Sequence, residues 1–395
     1  MADTSDPAVQ DALRSLHPGP TLEEEAHMAD EPGVRPHQTD RTCFNEVFQS
    51  TPKERGLGGH SVSYEECTMY YHSGLEEREV LFRIVCAINN GTMHPDAGYV
   101  LRDCYLYALS KPDGGARPIG VGAALRRLAG WVLMKHRSDD IRTVLTGTAP
   151  DADMLRRAGH AGDRRCNTLL QLGVGTPPTP GGAEILFKLC SLALASRPTG
   201  AILSNDFSNG FNSISRAAIF RGLRRWFPEL IPTARFFYAN TARLWTRAGA
   251  DAGGRELARD SHGVVFGSQE GCTQGDPLGP LLWAIGYHMS LLETQAKHPD
   301  TTILAYLDDT YFFDEIIAAA VAALKSGKED TLRLCGVNSK LTKQDAFSPA
   351  GDLSGVPRTS RARRRCRPMA PLASGSAPSR CSAPSSATTR RRPLG

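Results

Sequence analysis

The 395-residue chain contains no run of the roughly 18 unbroken apolar residues that a membrane span requires; its longest candidate is the Ala-rich segment Ile316 to Leu324. No membrane partner is expected. A leader of secretory or mitochondrial type is also missing, because Met1-Ala2-Asp3-Thr4-Ser5-Asp6 is acidic and polar. An intracellular location follows. The ten cysteines form no CxxC pair, and no histidines stand at zinc-finger spacing. They are expected as buried or free thiols, and spacing gives no support to a zinc site built from distant Cys and His. Basic charge is scarce where a core is expected: residues 354–395 hold ten arginines and no acid, so the chain's formal +4 leaves −6 on the preceding residues. Net charge therefore gives no argument for nucleic acid, and local basic strips must supply one.

What is present is a 41% hydrophobic composition, enough for a substantial core. Residues 1–41 are rich in Pro, Asp, Glu and Gly and are expected to be a loose extension, with only Val9 to Leu16 patterned as a short amphipathic helix. Residues 42–350 alternate periodic apolar segments with turn signals and show no internal repeat, predicting one continuous mixed body. Residues 351–395 are an Arg/Pro/Ser-rich tail that cannot build a core. That tail reads either as a basic arm for nucleic acid or as out-of-frame translation of a GC-rich gene; its Arg, Ala, Pro and Ser mixture favours the second.

Ala201 to Asn205 reads as a short strand that ends near Asp206, after which Asn212 or Ser213 is expected to cap a helix running through Ile214 to Trp226. Thr302 to Tyr306 and Tyr311 to Phe313 read as paired strands, with Leu307 to Thr310 as their turn. Asp308 and Asp309 then project from its tip. Acids packed this closely repel one another unless a divalent cation neutralises them, and hard carboxylate ligands select Mg²⁺ or Mn²⁺ over zinc. The plain alternative is an exposed Asp-Asp turn beside an unrelated surface Asp, since turns favour Asp. A third segment lies between them: Asp276-Pro277 reads as the N-cap and first turn of a helix through Leu281, Leu282, Ile285 and Met289, with Gly271 and Gly275 permitting close backbone approach.

In order and spacing these segments resemble the palm of reverse transcriptases: Asp206 to Phe211 is similar to the first motif, Gln274 to Pro280 to the second, and Tyr306 to Asp309 to the third. The wording QGDPLGPLLWA, the preceding Ser268 and the upstream Lys111 to Ile119 are most similar to non-LTR retrotransposons, and more narrowly to trypanosomatid elements that insert at spliced-leader genes. The resemblance implies an α+β right-hand polymerase: fingers and start of palm over 42–200, palm over 201–350, an antiparallel palm sheet backed by helices, and a thumb missing or degenerate. It implies RNA-directed DNA synthesis from deoxynucleoside triphosphates on an RNA template and DNA primer, nuclear at its site of action. It leaves oligomeric state open.

By the same resemblance Asp206, Asp308 and Asp309 are the catalytic, metal-binding carboxylates, and Lys343 assists pyrophosphate departure. Gln274 and Gly275 line the nucleotide and template pocket, and Phe207 belongs to the same substrate segment. Phe211, five residues after Asp206, is the bulky group that excludes a ribose 2′-hydroxyl; without the family it reads equally well as a core Phe. Asp113-Gly114 is a hairpin signal that brings Lys111 and Arg117 together across two strands, where two cations suit a triphosphate. Arg126-Arg127 with Lys135 and Arg137, and the trio Arg221, Arg224 and Arg225, are candidates for tracking a nucleic-acid backbone. Gln171 to Gly175 followed by Gly181 to Glu184 is similar to a finger-to-palm segment, with Thr176 to Pro180 inserted, and Lys340 stands where the family has Asn. The alternatives are a catalytically inactive nucleic-acid-binding relic, or an intron-encoded or telomerase-like reverse transcriptase.

Overall fold

Side-chain alternation along residues 302–306 fixes the centre of the molecule. Ile303 and Ala305 join the main core, whereas Leu304 and Tyr306 join a smaller cluster on the other face. Successive strand residues point to opposite sides, so this strand needs helices over both. The structure is a computed structural model that describes residues 3–4, 6–19, 35–51, 62–112, 115–146, 169–174, 181–247, 262–340, 343–351, 353 and 356.

The described helices are α1 (Pro7–Ser15), α2 (Arg41–Gln49), α3 (Tyr64–Ser73), α4 (Leu75–Asn89), α5 (Pro95–Arg102), α6 (Ala124–His136), α7 (Ser138–Thr146), α8 (Gly182–Ser196), α9 (Gly210–Ser213), α10 (Arg216–Trp226), α11 (Ile231–Tyr238), α12 (Gly279–Lys297) and α13 (Ile317–Cys335). The strands are β1 (Cys104–Ser110), β2 (Ala116–Gly122), β3 (Leu169–Gln171), β4 (Ala201–Asn205), β5 (Ala242–Arg247), β6 (His262–Ser268), β7 (Thr302–Tyr306), β8 (Asp309–Asp314) and β9 (Ala346–Phe347). They form two sheets, β2-β1-β5-β6 and β3-β7-β8-β4-β9. Each is antiparallel except at one pairing, β1 with β5 and β3 with β7. The fold class is α+β, as expected. Among the described residues no helix is long and apolar enough to cross a membrane.

One face of the second sheet rests on α12 and α13, the other on α8 through Leu186. Trp283 and Tyr287 of α12 are fully buried, and burial of side chains this large stabilises by about 2–3 kcal/mol each. The Tyr287 hydroxyl meets Thr310 Oγ1 at 2.8 Å, tying helix to β8. In the first sheet Cys104, Leu106 and Ala108 alternate onto a separate cluster with Leu244 and Phe266.

Three local expectations change. Ser215, not Asn212 or Ser213, caps α10, its side chain accepting from Ala218 N; Asn212 and Ser213 sit inside the short α9. α12 starts at Gly279 with Pro280 in its first turn, and Asp276 caps only the preceding turn, accepting from Leu278 N at 3.0 Å. Its carboxylate is occupied elsewhere. Third, the extension is not loose throughout: Asp6 caps α1 by accepting from Ala8 N, and Leu13 is completely buried against the first sheet. Arg14 and His17 lie against the Phe266 ring. Asp113-Gly114, Gly175 to Pro180 and almost all of the tail lie outside the described residues.

Candidate active site

Asp206 follows β4 directly, and antiparallel pairing sets Asn205 opposite Thr310 of β8. That register carries Asp206 to the β7–β8 turn. The turn is tighter than expected, with Leu307 and Asp308 alone between Tyr306 and Asp309. Leu307 adopts φ 54°, a left-handed conformation costing a residue with a Cβ about 1–2 kcal/mol. Packing of its side chain against the main core offsets that strain.

Lys343 arrives from the opposite side. Ser208 N donates to Asn338 O at 2.9 Å and Lys340 N to Asp206 O at 2.8 Å, so residues 338–340 run beside the Asp206 segment. The Lys343 ammonium then forms an ion pair with Asp206 Oδ2. This hydrogen bond raises the lysine's pKa. The Asp309 carboxyl is pushed up to about 6 by loss of solvent, then by the charges of Asp308 and Asp206, although part of its surface stays open. Desolvation also raises Asp308, opposed by a backbone hydrogen bond and reinforced by Asp206.

Two clefts meet at this point. One, of about 350 Å³, is lined by Lys111 and Arg117 of the β1–β2 hairpin, by Asp206, Phe207 and Phe211, by Gln274, and by Asp308 and Lys343. The structure therefore gathers the positions expected to bind nucleotide around the expected acids. Asp309 faces the adjoining cleft with Asp206, Tyr311 and Lys343. Gly275 instead supports the wall: at φ 112° its missing Cβ would lie 2.6 Å from Gly120 O, while Gly120 N donates to Gln274 O at 2.8 Å. Phe207 is 3% exposed and packs edge-on to Tyr287. Phe211 stacks on Trp283 with centroids 5.6 Å apart and planes 16° apart, leaving it partly open to the cleft.

The acids supply the hard, mutually repelling oxygens that suit a divalent cation. As the side chains stand, however, no group of three His, Cys, Asp or Glu among the described residues is gathered to hold a metal ion; Asp206 is paired with Lys343 instead.

Two features were missed from sequence. Asp276 is a buried strut: it pairs with Arg126, both side chains 3% exposed, and accepts from Tyr238 Oη at 2.8 Å. Arg126 is thus withdrawn from any nucleic-acid role, and the other basic candidates are engaged as well. Lys135 pairs with Glu46, Arg137 with Glu229 and Asp140, and Arg221 donates to Leu334 O. The second is Leu16, just past α1, which lines the 350 Å³ cleft and whose carbonyl accepts from Asn209 Nδ2 at 2.6 Å. Asn209 has φ 55°; its place before Gly210 was the available signal, since Asn tolerates that conformation.

No family model matches the chain. It is 25% identical over 275 residues to the retrotransposable element SLACS 132 kDa protein of Trypanosoma brucei gambiense, covering 68% of this chain. The chain spans about a fifth (20%) of that protein's length. The likeness to a trypanosome retrotransposon protein read from the motifs is thereby shown. Among solved structures, apo telomerase from Candida tropicalis aligns with TM-score 0.41 at 12% identity, over 65% of this chain and 46% of that one. Telomerase from Candida albicans with a TWJ fragment of telomeric RNA gives TM-score 0.42 at 11% identity, over 65% and 44%. Likenesses this loose carry no argument about function.

Proposed function

We propose that this chain is the polymerase portion of a retrotransposon protein, an RNA-directed DNA polymerase that joins a deoxynucleotide to a primer 3′-hydroxyl. The carrying observation is the β4–β8 register, which brings Asp206 beside Asp308 and Asp309 at the head of a cleft that also holds Lys111, Arg117, Phe211 and Gln274. The SLACS likeness supports the same reading. In it the second sheet with α12 and α13 belongs to the palm, and the β1–β2 hairpin to the fingers.

Lys111 and Arg117 meet the triphosphate, the guanidinium offering a planar fork to phosphate oxygens. Phe211, backed by Trp283, stands under the sugar and excludes a 2′-hydroxyl. Gln274 orients the nucleotide against the template base. Asp206, Asp308 and Asp309 would hold Mg²⁺ or Mn²⁺, which activates the primer hydroxyl and stabilises the departing pyrophosphate. With a cation held there, Asp206 would release Lys343, whose ammonium would then be available to donate a proton to the departing pyrophosphate. The proposed partners are an RNA template and a DNA primer; with nicked chromosomal DNA as that primer the work would be nuclear.

The lack of a gathered metal group among the described residues favours a second reading, an inactive relic that keeps Asp206 locked to Lys343. Primer extension on poly(rA)/oligo(dT) with dTTP and Mg²⁺ separates the two. The polymerase reading expects extension that the Asp308→Ala, Asp309→Ala double variant abolishes. Primer-template binding without extension by folded wild-type protein selects the relic.

A further inference from the structure

Arg102 closes α5 as a cation without a paired carboxylate among the described residues. It is 6% exposed, and its Nε donates to Gly98 O at 3.0 Å. Its Nη atoms reach the adjoining cleft rather than a carboxylate, and the helix C-terminus supplies only partial negative charge. The neighbouring Asp103 is committed to Arg243. The cleft side of the guanidinium is open to an anion.

The space for one adjoins it. Arg102 lines a cleft of about 620 Å³ between α5 and α11, together with Tyr99, Arg235, Phe236 and Asn240, and among the described residues no acidic side chain contributes to the wall. Gly98 stands between them, where a Cβ would meet Arg102 Nη2 and the Phe236 ring at an ordinary contact distance of 3.4 Å. Tyr99 is 58% exposed, with the Arg102 guanidinium 5.1 Å from its ring centroid. A phenol ring left largely in water beside the Arg102 guanidinium offers a stacking face next to a phosphate seat. That is the pairing by which proteins hold single strands without reading sequence.

We propose that this cleft is a second nucleic-acid site, separate from the candidate catalytic cleft, which takes one single strand with a phosphate at Arg102 and Arg235 and a base on Tyr99. The choice of nucleic acid over other phosphate-bearing polymers rests on the polymerase reading above. The site is mechanically joined to the catalytic elements, because Arg126 Nη1 donates to Arg102 O at 3.1 Å while its other nitrogen holds Asp276 beside Gln274 and Gly275. Strand and nucleotide are thereby registered on one rigid connection.

The test is fluorescence anisotropy of labelled 15-nucleotide oligo(rU) and oligo(dT) with the full chain, in EDTA and without dNTP. Tyr99→Ala should weaken binding about tenfold. Arg102→Gln should lower the salt dependence by about one phosphate contact; should it fail to fold, Arg235→Gln takes its place. The rU and dT arms distinguish RNA from DNA as the strand held. Titrations of Tyr99→Ala and the folded arginine variant that overlay wild type would overturn the proposal. So would displacement of the strand by AMP or a phosphopeptide at equal concentration, which would mark a mononucleotide or peptide site. Because no metal or dNTP is present, an inactive polymerase leaves this readout intact; normal Tyr99-dependent binding without extension removes only the catalytic reading.

Discussion

Asp276 and Asp206 each belong to a polymerase-like motif and each meets a cation, but their surroundings give them opposite work. Asp276 and Arg126 are both 3% exposed, and Tyr238 and the carbonyls of Leu101 and Arg102 supply further hydrogen bonds. Asp206 is 15% exposed, its Lys343 is 50% exposed, and both line open clefts. The first pair is fixed, because breaking it strands a charge in a dry interior. The second can exchange partners, because water is at hand for whichever group is released. Burial, rather than residue type or motif membership, separates the strut from the candidate catalytic acid.

The largest expected effect follows from the fixed pair. Asp276→Ala or Arg126→Ala should destabilise by about 3–5 kcal/mol, read by chemical denaturation, and loss of under about 1 kcal/mol would contradict its being a strut. Next is Phe211→Ala, expected to reduce discrimination against ribonucleotides by about tenfold or more when dTTP and UTP incorporation are compared; unchanged selectivity would return Phe211 to the core. Asp206→Asn should cost less than about 1 kcal/mol of stability, because its ion pair is solvated, while extension disappears. A large loss of stability would erase the contrast with Asp276.

The smallest effect is a pH slope. The Asp309 carboxyl is pushed up from its usual 3.8 to about 6 in the fold, so the native state holds this proton more tightly than the unfolded chain. Its stabilising contribution is complete below about pH 4 and is lost as pH rises through 6. In metal-free buffer the Tm should fall across that window, and Asp309→Asn should flatten the fall. A Tm slope unchanged by the substitution would remove Asp309 as its source.

Much of this site was legible because it is local. The apolar flanks of Asp308-Asp309 and the strand before Asp206 carry their own periodicity, and a hairpin needs only neighbours in sequence. What stayed hidden depends on distant pairing. Nothing near Asp276 announces Arg126, 150 residues away, and so Arg126 reads as surface charge until its burial is seen. Leu13 belongs to the expected Val9 to Leu16 amphipathic helix, but only the sheet cluster of Leu106 and Phe266 shows what covers its apolar face. The cap of α10 slipped from Asn212 or Ser213 to Ser215 because several capping residues stand close together, and the packing of Ile214 against the core decides among them.

The central claim is that Asp206 gives up Lys343 to a divalent cation whereas Asp276 keeps Arg126. Mn²⁺ binding followed by electron paramagnetic resonance, with wild type and Asp206→Asn compared in the absence of nucleic acid, tests it most directly. The account expects wild type to take up Mn²⁺ and the variant to lose that binding. Equal uptake by both proteins, or none by folded wild type, would contradict it.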